Sequence, residues 1–117
     1  MNKLKYIPEN LENLLSERIK YLYEHQLKHE LGGISYQIFD NKLMMIIEGT
    51  VTPAEQTLND SSQQELAKKV RGIFDAIIQP QIKQIIEEVF GLQVVDFLSD
   101  TTINTSRTAV IAIFELN

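Results

Sequence analysis

The segment from Leu43 to Glu55 constrains the fold of this chain more than any other. An unbroken apolar run, Leu43-Met44-Met45-Ile46-Ile47, is followed by Glu48-Gly49 and, after Thr50-Val51, by Thr52-Pro53-Ala54-Glu55. A threonine at the N-cap accepts hydrogen bonds from first-turn amides, and proline suits the first helical position, where its missing N–H would have no partner. A glutamate three residues after the cap reaches back to the cap's own amide and completes a capping box. The segment therefore reads as a strand delivered straight into a helix. It holds no group that does chemistry at neutral pH, and the residues alone describe a soluble α+β domain with no declared activity.

A chain of 117 residues is long enough to bury one core without staples, so a single domain over residues 1–117 is expected. With no cysteine present, disulfides, thiolate metal sites and cysteine nucleophiles are excluded. The basic start, Met1 to Tyr6, is not followed by the apolar core of a signal peptide. The longest apolar run falls far short of the roughly 20 residues a membrane-spanning helix needs, so a cytoplasmic protein without a membrane span is expected. The net charge is −5: the first 32 residues hold five basic and five acidic side chains, and the remainder six basic and eleven acidic. An acidic, β-rich second part does not suit a phosphate backbone, and nucleic acid is not expected as a partner.

From Glu9 to about Leu31, apolar residues recur at helical spacing, preceded by Pro8 and stopped by Gly32-Gly33. A hairpin follows, with Ile34, Tyr36 and Ile38 alternating, a tight turn at Asp40-Asn41, and a return strand from Lys42 to Glu48. After the short capped helix, Ser62 and Glu65 form a second capping-box signature, opening a long helix that ends at Gly91. Pro80 inside it predicts a kink near Ala76 to Gln79, or two helices end to end. Two final strands, Leu92 to Leu98 and Arg107 to Leu116, flank a polar loop from Ser99 to Ser106. The order is helix, strand, strand, long helix, strand, strand. It predicts a two-layer α+β fold, a mainly antiparallel four-stranded sheet with helices on one face.

The second face of that sheet is unusual. Met44 and Ile46 oppose Leu43, Met45 and Ile47, and Ala109, Ile111 and Ile113 make the last strand equally apolar on both sides. Monomers rarely expose so much contiguous apolar surface, which points to a homo-oligomer or a protein partner, with Met44, Ile46, Ile111 and Ile113 as interface candidates.

Chemically suggestive residues are few. His25 and His29 stand at i and i+4 on the first helix, a spacing at which two imidazoles can share a metal, but no third ligand sits at a fixed distance and a solvated, charge-laced face explains the same letters. Asp96 and Asp100 bracket the end of the third strand, and Asp100, Thr101, Thr102 and Arg107 are candidates for a small-ligand site; turn chemistry accounts for the same residues. Glu87 and Glu88 diverge around the helix and form no catalytic pair, and Lys68, Lys69 and Arg71 are too few for a nucleic-acid or lipid patch. There is no nucleophile elbow, Walker loop or dinucleotide fingerprint. No catalytic residue, metal or cofactor is expected.

Several segments together resemble the bacterial MpsC-type family. They are Leu43 to Glu55, Leu58, Val70-Arg71, the run Ile86 to Val95, Asp100, and the closing Val110 to Leu116. The resemblance covers roughly the last three quarters of the chain. It implies a small cytoplasmic protein associated with a sodium-translocating, membrane-potential-generating system that is also linked to inorganic-carbon supply, and it carries over no catalytic residues. This chain departs from the family where relatives read Gly-basic-Gly-Pro after the first helix, having His29-Glu30-Leu31-Gly32-Gly33 instead. The resulting expectation is a non-enzymatic, oligomeric accessory or regulatory protein acting by contact, peripheral to a membrane ion or inorganic-carbon transport system. The alternative is a small-ligand sensor or enzyme using the loop 99–107.

Overall fold

The computed structural model describes residues 7–115; the basic N-terminal segment and Leu116 lie outside them. Three helices and four strands follow in the expected order: α1 (Glu9–Leu27), β1 (Ile34–Phe39), β2 (Lys42–Glu48), α2 (Pro53–Asp60), α3 (Gln64–Phe90), β3 (Val94–Thr102) and β4 (Arg107–Phe114). The sheet is antiparallel throughout, in the order β1-β2-β4-β3. The two strands that are apolar on both faces, β2 and β4, are thus its central pair.

Alternation divides the sheet into two faces. On the inner face Leu43, Met45 and Ile47 of β2 and Val110, Ala112 and Phe114 of β4 are buried against Leu15, Ile19, Leu22 and Tyr23 of α1 and Ile78, Ile82, Ile85 and Ile86 of α3. Burying each such aliphatic side chain is worth about 1.5–3 kcal/mol, so this layer supplies most of the driving force for folding. On the outer face Met44 and Ile111 are exposed, at 42% and 39%, and Ile46 and Ile113 are half-buried. Among the described residues no helix covers them.

Several boundaries differ from the sequence expectation, each for a tertiary reason. Helix α1 stops at Leu27, one turn early, where Lys28 turns left-handed (φ 52°) and the His29 ring bonds the Gly49 carbonyl at 2.6 Å. Gly32 and Gly33 are therefore the entry to the sheet and not the helix stop. The Gly32 amide donates to the Glu48 carbonyl at 2.8 Å, and a Cβ on Gly49 (φ +72°) would lie 3.1 Å from the Gly32 nitrogen. Only glycine fits there.

The second capping box does not form. Ser62 is left-handed (φ 63°), the N-cap is Gln63, and no side chain caps the helix. Helix α3 then runs unbroken through Pro80. The Ala76 carbonyl loses its usual donor there, but Ala76 is exposed to water, and the Gln81 side chain donates to the neighbouring Ile77 carbonyl at 2.8 Å. Gly91 closes α3 in the left-handed conformation, as expected. Strand β3 extends to Thr102, so half of the expected polar loop is strand, and the connection to β4 is confined to residues 103–106.

The first capping box is present in full. Thr52 Oγ1 accepts from the Glu55 amide at 3.4 Å, and Glu55 Oε2 accepts from the Thr52 amide at 2.8 Å. Replacing Thr52 with Ala should lower stability by about 1 kcal/mol, within the ~0.5–2 range for a lost N-cap, as measured by urea unfolding. An unchanged midpoint would show that the cap contributes nothing.

Candidate functional site

The polar interior of the molecule gathers where β2 hands over to α2. Glu55 is completely buried and Arg71 is 6% exposed. Arg71 Nε donates to Glu55 Oε1 at 2.7 Å and Nη2 to Oε2 at 2.9 Å, a bidentate pair. The same guanidinium reaches the Thr50 carbonyl at 3.3 Å through Nη2 and Asp75 Oδ1 at 3.5 Å through Nη1. Glu55 Oε2 also accepts from the Thr52 hydroxyl at 2.9 Å. A hydroxyl chain continues the network, with Thr108 Oγ1 donating to Thr50 Oγ1 at 2.8 Å and Thr101 bonded to Thr108 at 2.6 Å. Ser106 closes it by accepting the Gly49 and Thr50 amides on its carbonyl and the Val51 amide on its hydroxyl.

This arrangement ties α2, α3, β3, β4 and the β2–α2 link into one node. Its charges are balanced within the chain and both Glu55 oxygens are occupied, which makes it a bracing element rather than a source of free acid, base or nucleophile. Asp75 lies at its margin. Burial pushes the Asp75 carboxyl above its ordinary range, and the Arg71 guanidinium opposes that shift.

The ligand candidates of the polar loop separate. Asp100, Thr101 and Thr102 line a cleft of about 470 Å³ between α3 and β3, together with Asn59, Lys68, Arg71, Gly72, Asp75 and Asn104. Arg107 is not with them: it points from the outer face and pairs with Glu48 at 2.9 Å. The cleft unites residues that sequence reading had as unrelated, the small basic cluster on α3 and the β3 end.

The two histidines do not share a site. His25 stacks on Tyr21, ring centroids 5.5 Å apart and 8° from parallel, whereas His29 lies beyond the end of α1 on the Gly49 carbonyl. Early termination of α1 destroys their i, i+4 relation. Among the described residues no group of three or more His, Cys, Asp or Glu could hold a metal. His25 instead borders a groove of about 360 Å³ between α1 and α3, bridged by the Arg18–Glu88 pair.

The interface candidates Met44, Ile46, Ile111 and Ile113 do come together, at the centre of the outer face. Register places Met44 opposite Ile111 and Ile111 opposite Leu98, while Phe39 sits at the end of β1 beside Lys42. Leu98 and Phe39, 59% and 67% exposed, belong to the same surface. Sequence reading missed them because β3 was ended at Leu98 and only its neighbours were read for facing.

Residues 8–116 match the family model of the Na+-translocating membrane potential-generating system (MpsC), and the chain belongs to that family. Neither a curated protein nor a solved structure matches it. Among the described residues no helix is long and apolar enough to cross a membrane.

Two tyrosines provide a test of this interior. Burial pushes the phenol of Tyr23, on α1, up to about 12, opposed by Arg71 nearby, and that of Tyr36 to about 12, opposed by its hydrogen bond with Ser16. A folded-state value above the ordinary 10.0 means the folded protein keeps a proton the unfolded chain loses. The stability involved is complete below that ordinary value and is lost as pH rises toward about 12, for the deeply buried Tyr23 by up to about 1.4 kcal/mol per pH unit. Urea unfolding across this window should show the decline, and Tyr23→Phe should reduce its slope. An unchanged slope would mean that Tyr23 ionises freely in the folded state.

Proposed function

We propose that this protein is a non-enzymatic, oligomeric accessory or regulatory subunit, acting by protein contact at the cytoplasmic periphery of a membrane ion-translocating system. The observation that carries the reading is the division of its chemistry. The buried ionisable groups Glu55 and Arg71 are consumed in bracing the fold, while apolar side chains stand uncovered on the outer sheet face. Such a surface is suited to association. The description of the family supports the membrane system as the setting.

A second reading rests on the cleft lined by Asp75, Asp100, Thr101 and Lys68, which has room for a small polar ligand and brings charges of both signs to one place. In this reading the protein senses a small molecule, inorganic carbon included, and passes the signal on by contact.

Isolation of the tagged protein from gently solubilised native membranes tests the first reading. Integral membrane proteins of an ion-translocating system should come with it in fixed ratio; recovery of the protein with no membrane component would overturn the accessory role. Thermal shift against nucleotides, bicarbonate and metal ions tests the second, since a ligand at about 100 times its dissociation constant stabilises by roughly 2.7 kcal/mol. A shift abolished by Asp100→Asn would support the cleft, and no shift with any of these probes would remove it.

A further inference from the structure

We propose that the outer sheet face is a self-complementary interface for a second copy of this chain. The two-fold axis runs along the strands between the two sheets, so that β2 of one protomer lies over β4 of the other. This deepens the contact-mediated reading above and rests on it.

A face that pairs with itself about a two-fold axis must carry each feature and its complement on opposite sides of that axis. Three features of this face do so. The first is shape. A hollow of about 290 Å³, almost wholly apolar, lies on the β1–β2 side between Phe39, Lys42 and Met44 and reaches Ile111. On the opposite side Leu98 of β3 projects outward, 59% exposed, in the cross-strand row Gln37, Met44, Ile111, Leu98. Rotation about an axis along the strands exchanges the two sides and keeps the row. It sets each Leu98 over the partner's Gln37, which lines that hollow beside Phe39 and Met44, and Met44 over Ile111.

Charge is the second feature. In the next row the order is Phe39, Lys42, Ile113, Asp96. Lys42 and Asp96 are two strands apart in one chain, roughly 9–10 Å at ordinary strand spacing, too far for a close pair. The same rotation brings Lys42 of each protomer beside Asp96 of the other. At the far end Glu48 and Arg107, paired at 2.9 Å within the chain, would meet the corresponding pair in reversed order and form a four-membered ring of alternating sign.

The third is size. Four strands and four outward rows give two facing surfaces that together bury on the order of 1,000 Å², at the lower bound for a specific interface. The other two-fold arrangement, with its axis across the strands, would lay Leu98 over Asp100 and bury a carboxylate against a leucine. The axis along the strands sets Asp96 over Phe39 instead, where the carboxylate has Lys42 of the other copy on the adjacent strand to pair with.

The test is sedimentation velocity at micromolar concentration on the wild type and three variants, with circular dichroism to confirm the fold. The wild type should sediment with twice the 13.4 kDa chain mass. Leu98→Asp, at an exposed position, should give a folded monomer. Lys42→Asp should weaken association by about tenfold or more, because each change acts twice in the dimer, and adding Asp96→Lys should restore it. Since Lys42 and Asp96 do not meet within one chain, rescue requires contact between copies. A monomeric wild type, a dimer indifferent to Leu98→Asp, or a double variant no better than Lys42→Asp would each overturn this interface. None of these results bears on co-isolation with membrane proteins, so the accessory role stands or falls separately.

Discussion

The Glu55–Arg71 ion pair is the contact on which the rest of the architecture depends. A carboxylate and a guanidinium removed from water each carry a desolvation cost of several kcal/mol, and only good geometry with all remaining hydrogen-bonding capacity used offsets it. Here the pair is bidentate, and the Thr52 amide, Thr52 hydroxyl and Thr50 carbonyl take up further positions. The consequence is directional. Arg71 lies on α3 and Glu55 on α2, so the pair sets where the long helix crosses the end of β2. From there the apolar residues of α3's other end, Ile78 to Ile86, are aimed onto the inner sheet face.

Because both layers of the fold are committed to that inner face, none of the described elements is left to cover the outer one. The chain has one hairpin before α2 and one after α3, and the two meet through β2 and β4 as the central pair. Both central strands are apolar on both sides, as strands covered on two faces usually are. The uncovered surface follows from the topology and is not an accident of a few stray side chains. It links the internal bracing to a role in association: the fold spends its polar chemistry inside and presents apolar area outside.

How much of this was legible depended on whether the signal was local. The Thr52–Glu55 cap, the Gly91 stop and the alternation of β2 and β4 are set by neighbours in sequence, and the structure has them where they were expected. The end of α1 was not legible, because it is decided by His29 reaching Gly49, twenty residues away. The Ser62 cap was misread since its hydroxyl and Glu65 match the pattern, while the backbone there turns left-handed to join α2 to α3. Arg71 left a readable trace: it stands four residues after Ala67 and seven before Ile78, on the buried side of α3. That trace was hidden because Val70, Ile73 and Phe74 make the helix apolar around most of its circumference. Glu55 read as a cap alone, and its second partner lies sixteen residues on, beyond any capping rule.

The account makes the buried pair a coupled unit, and a double-mutant cycle on stability, with Glu55→Leu, Arg71→Met and the double variant compared by urea unfolding, tests that most directly. Each single change leaves one charge buried without its partner and should cost about 3–5 kcal/mol, whereas the double variant, carrying neither charge, should lose far less than the sum of the two. A coupling energy of about 2 kcal/mol or more is the expected result. Two small, additive losses would show that Glu55 and Arg71 act independently and that the fold is held in register by something else.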